Sequence, residues 1–406
     1  MNTDAASTDV LVIGGGPAGS ATAIGLARRG HRVRLLDRAV FPREKACSEY
    51  MSPEAVRWLD ALGVLATLDA MHGTPLEGTQ VTAARGSRLL GRFAMAGGSP
   101  FRPTGLALPR RDLDATLLRA AVSAGTDVIE GMQVTALLQH GGMIGGVVAR
   151  ARDGSEHQYP ARVVVGADGL GSVVARRAGL HRRGWLARVA FVAHVRDVAG
   201  MGNTAEMHVG AAGYVGLNPL GGGVTNVALV VPAAALHQVH GDVAGFFEQQ
   251  LAAIPGVAGR VDTRRLAREI MVTGPFDAMC RRSVSDGLLL VGDAADFFDP
   301  FTGEGICAAL TGAALATDAL DDALSRPGPI DAGRLAPYRT ARRRAFLGKW
   351  IIERLIGQAM RSPRLFDRAV ARLERRGMAD TLIGVTGDFI SPWRVLNPVF
   401  LTRMVW

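Results

Sequence analysis

Short apolar runs that end in glycine-rich turns recur along this chain, and helically spaced apolar residues follow each of them. The first run, DVLVI at residues 9–13, favours a buried parallel strand. The segment ATAIGLARRG then has helical spacing, and HRVRLLDR favours a second strand. The same strand-and-turn pattern returns at ARVVVGADG and at GLLLVGDAA. This alternation predicts an α/β fold built on a doubly wound sheet.

The pattern changes in the middle of the chain. Residues 181–268 contain alternating segments such as VAFVAHVRDV and TNVALVV. With residues 76–102 they predict an inserted, mostly antiparallel β-sheet domain that binds the substrate. Helical periodicity returns at residues 331–406 and predicts a C-terminal helical tail. The first, Rossmann-like domain is then assembled from three separated segments: residues 1–75, 103–180 and 269–330.

Composition limits the class of protein. The chain has 406 residues, of which 48% are hydrophobic and 20% charged, as expected of a globular protein. No uncharged apolar run is long enough to span a membrane, and the N-terminus lacks a basic apolar signal, so we expect a cytoplasmic protein. Cys47, Cys280 and Cys307 form neither a CxxC motif nor a Cys/His cluster. No metal site or disulfide framework is therefore predicted.

The formal net charge of +9 is concentrated at the C-terminal end. Residues 331–406 contain 15 basic and 6 acidic residues, which accounts for the whole excess. This is typical of a solvated helical face, and it also fits a surface that contacts an anionic membrane or an acidic carrier protein. No aromatic-interleaved basic motif accompanies the charge, so nucleic acid is not an expected partner. A monomer and a homodimer both remain open.

The first glycine cluster predicts a dinucleotide site. Gly14, Gly16 and Gly19 have GxGxxG spacing between a strand and a helix, where a pyrophosphate meets free backbone amides. Asp37 closes the next strand, where an acid accepts hydrogen bonds from a ribose diol. Three neighbours complete the predicted nucleotide-binding set: Pro17, Ala18 and Arg38. The spacing alone does not separate FAD from NAD.

Two later motifs indicate the cofactor. GADGLGS occupies residues 166–172, and GDAADFFDPFTGEGI occupies residues 292–306. With the first cluster they resemble the FAD-dependent oxidoreductases of the aromatic-hydroxylase (group A flavin monooxygenase) and geranylgeranyl-reductase superfamily, over about residues 9–320. A helix start at Arg110 in RRDLDATLLRAA adds a weaker match. The resemblance implies FAD binding at eight further residues: Asp168, Gly169, Gly292, Asp293, Pro300, Gly303, Gly305 and Ile306.

The resemblance also implies roles for several of these residues. Asp293 binds a ribityl hydroxyl of FAD, and Pro300 borders the isoalloxazine ring. The amides of residues 303–306 open a helix whose dipole points at the flavin N1–C2 carbonyl region. Glu304 either caps that helix or takes part in proton transfer. Asp168 shapes its turn and touches the cofactor.

Residues 41–64 contain a fourth segment, FPREKACSE, that resembles the Phe-Pro-Arg-x-Lys-x-Cys-Gly-Glu segment of geranylgeranyl reductases. Ser48 stands where that branch has Gly. Cys47 is a packing residue, a wall of the active site beside the flavin, or a point of covalent attachment. Lys45 contacts cofactor phosphate or substrate, or lies at the surface. Glu49 is a candidate pocket residue.

The resemblance implies an oxidoreductase, and the predicted reaction is that of an NAD(P)H-dependent flavin monooxygenase. Such an enzyme uses O2 and a flavin C4a-hydroperoxide to oxidise a hydrophobic aromatic or polyketide-like molecule. The alternative is a reductase of carbon–carbon double bonds in an isoprenoid or lipophilic substrate. A third possibility is a non-enzymatic electron-transfer module. NAD(P)H would dock transiently, because no second GxGxxG motif is present.

The substrate half gives weaker signals. The Trp-x-Trp-x-Ile-Pro motif of flavin halogenases and the Tyr-x-Trp-x-Phe-Pro-Lys pattern of isoprenoid reductases are both missing. Tyr214 is a candidate for strand packing or for substrate contact. The candidate catalytic residues are therefore Cys47, Glu49, Tyr214 and Glu304.

Overall fold

A computed structural model describes residues 8–184, 187–211, 213–276, 278–297 and 300–405. Within these residues the strands are β1 (Thr8–Ile13), β2 (Val33–Asp37), β3 (Tyr50–Met51), β4 (Thr74–Leu76), β5 (Gly78–Thr82), β6 (Arg88–Arg92), β7 (Gly105–Ala107), β8 (Asp127–Glu130), β9 (Gln133–His140), β10 (Met143–Arg150), β11 (Glu156–Gly166), β12 (His181–Arg183), β13 (Arg188–Arg196), β14 (Thr204–Val209), β15 (Tyr214–Gly221), β16 (Val224–Pro232), β17 (Leu266–Thr273), β18 (Ala278–Cys280), β19 (Val284–Ser285) and β20 (Leu288–Leu290). The α-helices are α1 (Pro17–Ala27), α2 (Pro53–Ala61), α3 (Leu65–Asp69), α4 (Arg110–Ser123), α5 (Val173–Arg177), α6 (Val243–Ala252), α7 (Gly305–Leu324), α8 (Ala336–Met360), α9 (Pro363–Arg375), α10 (Ala379–Thr386) and α11 (Pro398–Val405).

The first sheet has a parallel centre in the order β20-β11-β1-β2-β8. Strand β1 is apolar on both faces, as a covered parallel strand should be. Val10 and Val12 pack with residues of α1, α4 and α7, whereas Leu11 and Ile13 face a second core with α5, β9 and β10. The N-terminal half of β11 extends beyond this centre and pairs with β10 in an antiparallel meander. The predicted doubly wound α/β fold is confirmed.

The second sheet has seven strands in the order β17-β13-β16-β15-β14-β5-β6, and only its β14–β5 pairing is parallel among the described strands. One face packs on α6 through Phe246 and Phe247. The other face packs on residues of α9 and α10, including Phe366 and Ile383. Strand β17 belongs to this sheet because it forms a ladder with β13, so the predicted boundary between residues 268 and 269 falls inside a strand.

The C-terminal region is helical, as predicted, and it is joined to the parallel sheet by polar contacts. The Tyr338 hydroxyl of α8 donates to the Leu290 carbonyl of β20 at 2.8 Å. On the next turn, the Arg342 guanidinium holds both carboxylate oxygens of Asp296, at 2.6 and 2.7 Å. Helix α8 also packs on α7 and α9. No helix in the described part of the chain has the length and hydropathy needed to cross a membrane.

Candidate active site

The glycines that follow β1 differ in the space that a side chain would have at each position. Gly14 has a φ of +106°, and a Cβ there would lie 2.4 Å from the Ala167 carbonyl oxygen. A Cβ on Gly19 would lie 1.8 Å from the Gly14 carbonyl oxygen. Both glycines are therefore required for α1 to pack close to the sheet. Gly16 is different, because a Cβ there would meet nothing closer than two guanidinium nitrogens at 3.8 Å.

The space beside Gly16 is suited to an anion. The two guanidinium nitrogens belong to Arg43 and Arg110, and both arginines bind Asp114, at 3.0 Å and 2.7 Å. The Nη1 atom of Arg43 is buried and has no hydrogen-bond partner among the described residues. Helix α1 begins beside this space without a side-chain cap, so its first amides remain available. Two cations, one carboxylate and free amides form a cradle that fits a pyrophosphate.

Asp37 lies next to this cradle at the end of β2. Its Oδ2 accepts a hydrogen bond from the Gly15 amide at 2.6 Å, and its Oδ1 accepts one from the Ala39 amide at 2.7 Å. These bonds orient the carboxylate, and each oxygen retains acceptor capacity for a ribose hydroxyl. The neighbouring Arg38 is exposed.

Asp168 accepts hydrogen bonds from the residues at the start of α5. Its carboxylate accepts hydrogen bonds from the Ser172 hydroxyl at 2.5 Å and from the Val173 and Val174 amides at 2.7 and 3.2 Å. Burial raises the pKa of Asp168, against the lowering effect of these bonds. This arrangement supports the predicted turn-shaping role. Gly169, with a φ of +74°, has open space where a side chain would stand.

Asp293 follows β20 and lies near the cradle, since the charge of Arg110 acts on its carboxyl group. The backbone approaches α1 here, because a Cβ on Gly292 would lie 2.9 Å from the Ala18 Cβ. Burial raises the pKa of Asp293 to about 6, although the positive charges of Lys45 and Arg110 lower it. Burial in turn lowers the pKa of Lys45, and Arg110 lowers it further. Lys45 and Asp293 are thus electrostatic neighbours in one site.

The N-terminus of α7 opens into free space. A Cβ on Gly305 would meet no described atom within 4 Å outside its own helix and chain neighbours. The preceding Gly303 has a φ of +73°, and a Cβ there would lie 3.0 Å from the Tyr50 ring. Helix α7 has no side-chain cap among the described residues. Ile306 points into the core, and Pro300 starts the short turn that leads into the helix.

Glu304 is the residue that precedes α7, and it is buried. Its Oε2 lies 3.5 Å from the Lys349 Nζ of α8, and Lys349 also forms an ion pair with Asp388. Burial raises the pKa of Glu304, although Lys349 lowers it. The prediction that Glu304 caps α7 is wrong, because its side chain makes no capping hydrogen bond. Sequence spacing gave no sign of the Lys349 and Asp388 contacts.

Glu49 connects the inserted sheet to the start of α4. It is fully buried with a φ of +59°. Its Oε2 binds the His194 Nε2 at 2.6 Å and accepts from the Asn226 Nδ2 at 2.9 Å. Its Oε1 accepts from the Arg110 amide at 3.0 Å and lies 3.4 Å from the Arg268 Nη1. Burial would raise the pKa of Glu49, but the hydrogen bond from His194 and the positive charges outweigh it and lower the pKa. These contacts favour a structural role over the predicted catalytic one.

The backbone around Cys47 is held by two asparagines of the inserted sheet. The Asn226 side chain donates to the Cys47 carbonyl at 2.7 Å, and the Asn218 side chain donates to the Ser48 carbonyl at 2.9 Å. The Cys47 thiol, which is half-buried, accepts from the Glu49 amide at 3.4 Å. Sequence spacing predicted neither of these backbone contacts, since each asparagine lies inside an apolar strand.

Aromatic side chains pack together in an apolar cluster beside the start of α7. Tyr214 is buried and packs edge-on against Phe301, with the ring centroids 5.2 Å apart. Phe301 packs in the same way on Phe366 of α9, at 6.2 Å. Ile356 and Met360 of α8 line a small cavity beside Phe301. Tyr214 therefore packs within this aromatic cluster.

These features agree with the predicted cofactor. Residues 7–347 match the protein family described as FAD binding domain. The chain belongs to this family. The uncapped ends of α1 and α7, the open space at Gly16 and Gly305 and the unpartnered nitrogen of Arg43 are the elements that would hold FAD. The protein is an FAD-dependent oxidoreductase, and the superfamily resemblance seen in the sequence is confirmed.

Named relatives and a solved structure support the assignment. The chain is 30% identical to digeranylgeranylglycerophospholipid reductase 2 of Methanothermobacter thermautotrophicus, over 81% of this chain and 82% of that protein. It is also 30% identical to menaquinone reductase of Mycobacterium tuberculosis, over 78% and 77%. A flavoprotein/dehydrogenase of Cytophaga hutchinsonii has the same fold, with a TM-score of 0.84 and 20% identity over 98% of this chain and 96% of that one.

Proposed function

We propose that this protein is an FAD-dependent reductase that adds two hydrogen atoms to a carbon–carbon double bond of a lipophilic substrate. The observation that carries the proposal is the apolar cluster of Tyr214, Phe301 and Phe366, which lies beside the N-terminus of α7. The two relatives named above are reductases. Because this chain is similar to them, we favour the reductase over the monooxygenase that the sequence predicted.

The residues of the site suggest separate roles for FAD and for the protein. FAD, when bound, supplies the two-electron transfer chemistry, and the protein supplies binding, orientation and electrostatics. The pair Arg43 and Arg110 would hold the pyrophosphate, and Asp293 would accept from a ribityl hydroxyl. The amides at the start of α7 would stabilise negative charge that develops on the reduced ring. We propose NAD(P)H as the transient electron donor.

A second candidate is the monooxygenase, acting on an aromatic or polyketide-like molecule. The observation that favours it is the same aromatic cluster, because the edge-on packed rings of Tyr214, Phe301 and Phe366 would exclude water from a reactive oxygen species. Both candidates need FAD and a hydrophobic substrate. They differ in what the substrate gains, which is two hydrogen atoms in the reductase and an oxygen atom in the monooxygenase.

The deciding experiment is product analysis. The FAD-loaded protein would be incubated with NADH, with NADPH or with dithionite, first without oxygen and then with it. The probes are a geranylgeranyl lipid, a menaquinone and a phenolic polyketide. We expect an anaerobic product that has gained two hydrogen atoms. A product that forms only with oxygen and has gained an oxygen atom would replace the reductase by the monooxygenase.

A further inference from the structure

Three charged residues meet where α7 begins. Lys349 of α8 lies between two carboxylates, that of Glu304 before α7 and that of Asp388 after α10. The side chains of Lys349, Glu304 and Asp388 are 14%, 7% and 2% exposed. Lys349 is one of two lysines in the chain, so this ammonium is a specific feature in an arginine-rich protein.

The charges of this cluster do not balance if every group is ionised. One ammonium cannot neutralise two carboxylates, and a buried unpaired charge is costly. Asp388 has the closer contact with Lys349, whereas the Glu304 Oε2 lies 3.5 Å from the Lys349 Nζ. Glu304 is therefore the group that takes up a proton most easily, which agrees with the raised pKa of its carboxyl.

Other ionisable groups surround Glu304, and among the described residues Lys349 is the cation that lowers the pKa of its carboxyl group. Tyr50 of β3 and Cys307 of α7 are neutral neighbours, because burial raises the pKa of each. Glu353 of α8 lies one helical turn beyond Lys349 and lines the small cavity beside Phe301 and Thr302. On α2, the oppositely charged residues Glu54 and Arg57 pair with each other and interact with Cys307.

Glu304 belongs to the segment whose amides would face the reduced flavin. Reduction of FAD places negative charge in this region, and a nearby negative charge raises the pKa of a carboxyl group. We propose that Glu304, Lys349 and Asp388 form a redox-linked proton site, in which the Glu304 carboxylate binds a proton from solvent when FAD is reduced. The proton returns to solvent when FAD is reoxidised. This inference requires bound FAD and is independent of the substrate.

The test is the reduction potential of FAD in the loaded protein, measured against pH with dithionite as reductant. Each proton taken up with two electrons adds about 30 mV per pH unit to the slope, since this is the potential of a tenfold change in a two-electron equilibrium. We expect a pH interval, above the ordinary pKa of Glu, in which reduction of FAD is accompanied by uptake of one more proton in the wild type than in Glu304→Gln. The matched control is Glu353→Gln, which removes a half-buried carboxyl from the next turn of α8.

Two further variants should move this interval in opposite directions. Lys349→Met removes the cation that stabilises the Glu304 carboxylate, so the interval should move to higher pH. Asp388→Asn frees Lys349 to stabilise Glu304, so the interval should move to lower pH. Asn is chosen because Asp388 has a φ of +71°, a conformation that Asn tolerates. FAD absorbance checks that each variant still binds the cofactor.

Infrared difference spectra between reduced and oxidised protein provide an independent readout. We expect a protonated carboxyl band on reduction that disappears in Glu304→Gln and persists in Glu353→Gln. Equal slopes in the wild type and Glu304→Gln, with the band retained in that variant, would overturn the proposal. Loss of the extra proton in Glu353→Gln alone would overturn it too, since it would assign the proton to Glu353.

Discussion

The Glu49 carboxylate and the His194 imidazole, 145 positions apart in sequence, are 2.6 Å apart in the fold. Glu49 follows the Lys45–Cys47 segment of the cofactor domain, and His194 lies in β13 of the inserted sheet. The contact therefore joins this cofactor segment to the inserted sheet at the edge of the candidate site. Because Glu49 is fully buried, the network that it centres should contribute strongly to stability.

Replacing Glu49 with Gln should destabilise the protein by about 3 kcal/mol, because the substitution leaves the buried Arg268 without a close buried anion. Urea unfolding would measure this loss. The control is Glu44→Gln, since Glu44 is the exposed partner of Arg268 at 3.0 Å and should contribute less than about 1 kcal/mol. Equal losses in the two variants would contradict a special role for Glu49.

Two glycine substitutions should separate cofactor binding from folding. Gly16→Ala has room for its Cβ and should fold normally, yet the methyl group would occupy the proposed pyrophosphate space. We expect at least a tenfold weaker affinity for FAD. The melting temperature of the protein without FAD should be unchanged. Gly19→Ala would clash with the Gly14 carbonyl and should lower the melting temperature of the protein without FAD. Normal FAD affinity in Gly16→Ala would refute the placement of the pyrophosphate.

Asp293→Ala should abolish or greatly reduce FAD content, as measured by the ratio of flavin to protein absorbance. Unchanged flavin content and affinity would count against the ribityl role of Asp293. The nearby variant Lys45→Met provides a comparison, since a phosphate contact would also weaken FAD binding whereas a surface lysine would not.

Asp293 should also give the FAD-free protein a characteristic pH dependence. Its pKa is raised from 3.8 to about 6, so the folded state binds more protons than the unfolded state between these values. The free energy of unfolding should therefore fall as pH rises through this interval, by about 3 kcal/mol. Urea unfolding at several pH values would show the fall, and Asp293→Asn should remove it. A fall of equal size in Asp293→Asn would assign it to another group.

Glu206 should have the opposite effect. Burial would raise its pKa, but bonds to His208 and Arg260, each at 2.6 Å, lower it to about 2. This stabilisation is fully present above the unfolded pKa of about 4.5 and is lost as pH falls toward 2, by about 3 kcal/mol. Glu206→Gln should be less stable at neutral pH and should lose less stability on acidification. An unchanged acid profile would exclude Glu206 as its source.

The sequence predicted those parts of the molecule that depend on local spacing. Each of three features lies within one short segment of the sequence: the glycines of the first turn, the strand before Asp293 and the alternating strand around His194. Residue period and spacing were therefore sufficient to predict them. The contacts of Glu49 with Asn226 and of Glu304 with Lys349 were not predictable in this way. They join segments that only the folded topology brings together, and an asparagine in an apolar strand gives no sign of its partner.

The asparagine contacts with Cys47 and Ser48 have an evolutionary consequence. Asn226 and Asn218 donate to main-chain carbonyls, which every amino acid possesses. Mutations that change the side chains at positions 47 and 48 therefore leave the anchoring groups in place. Selection can diversify the chemistry of this segment while its path through the protein stays constant.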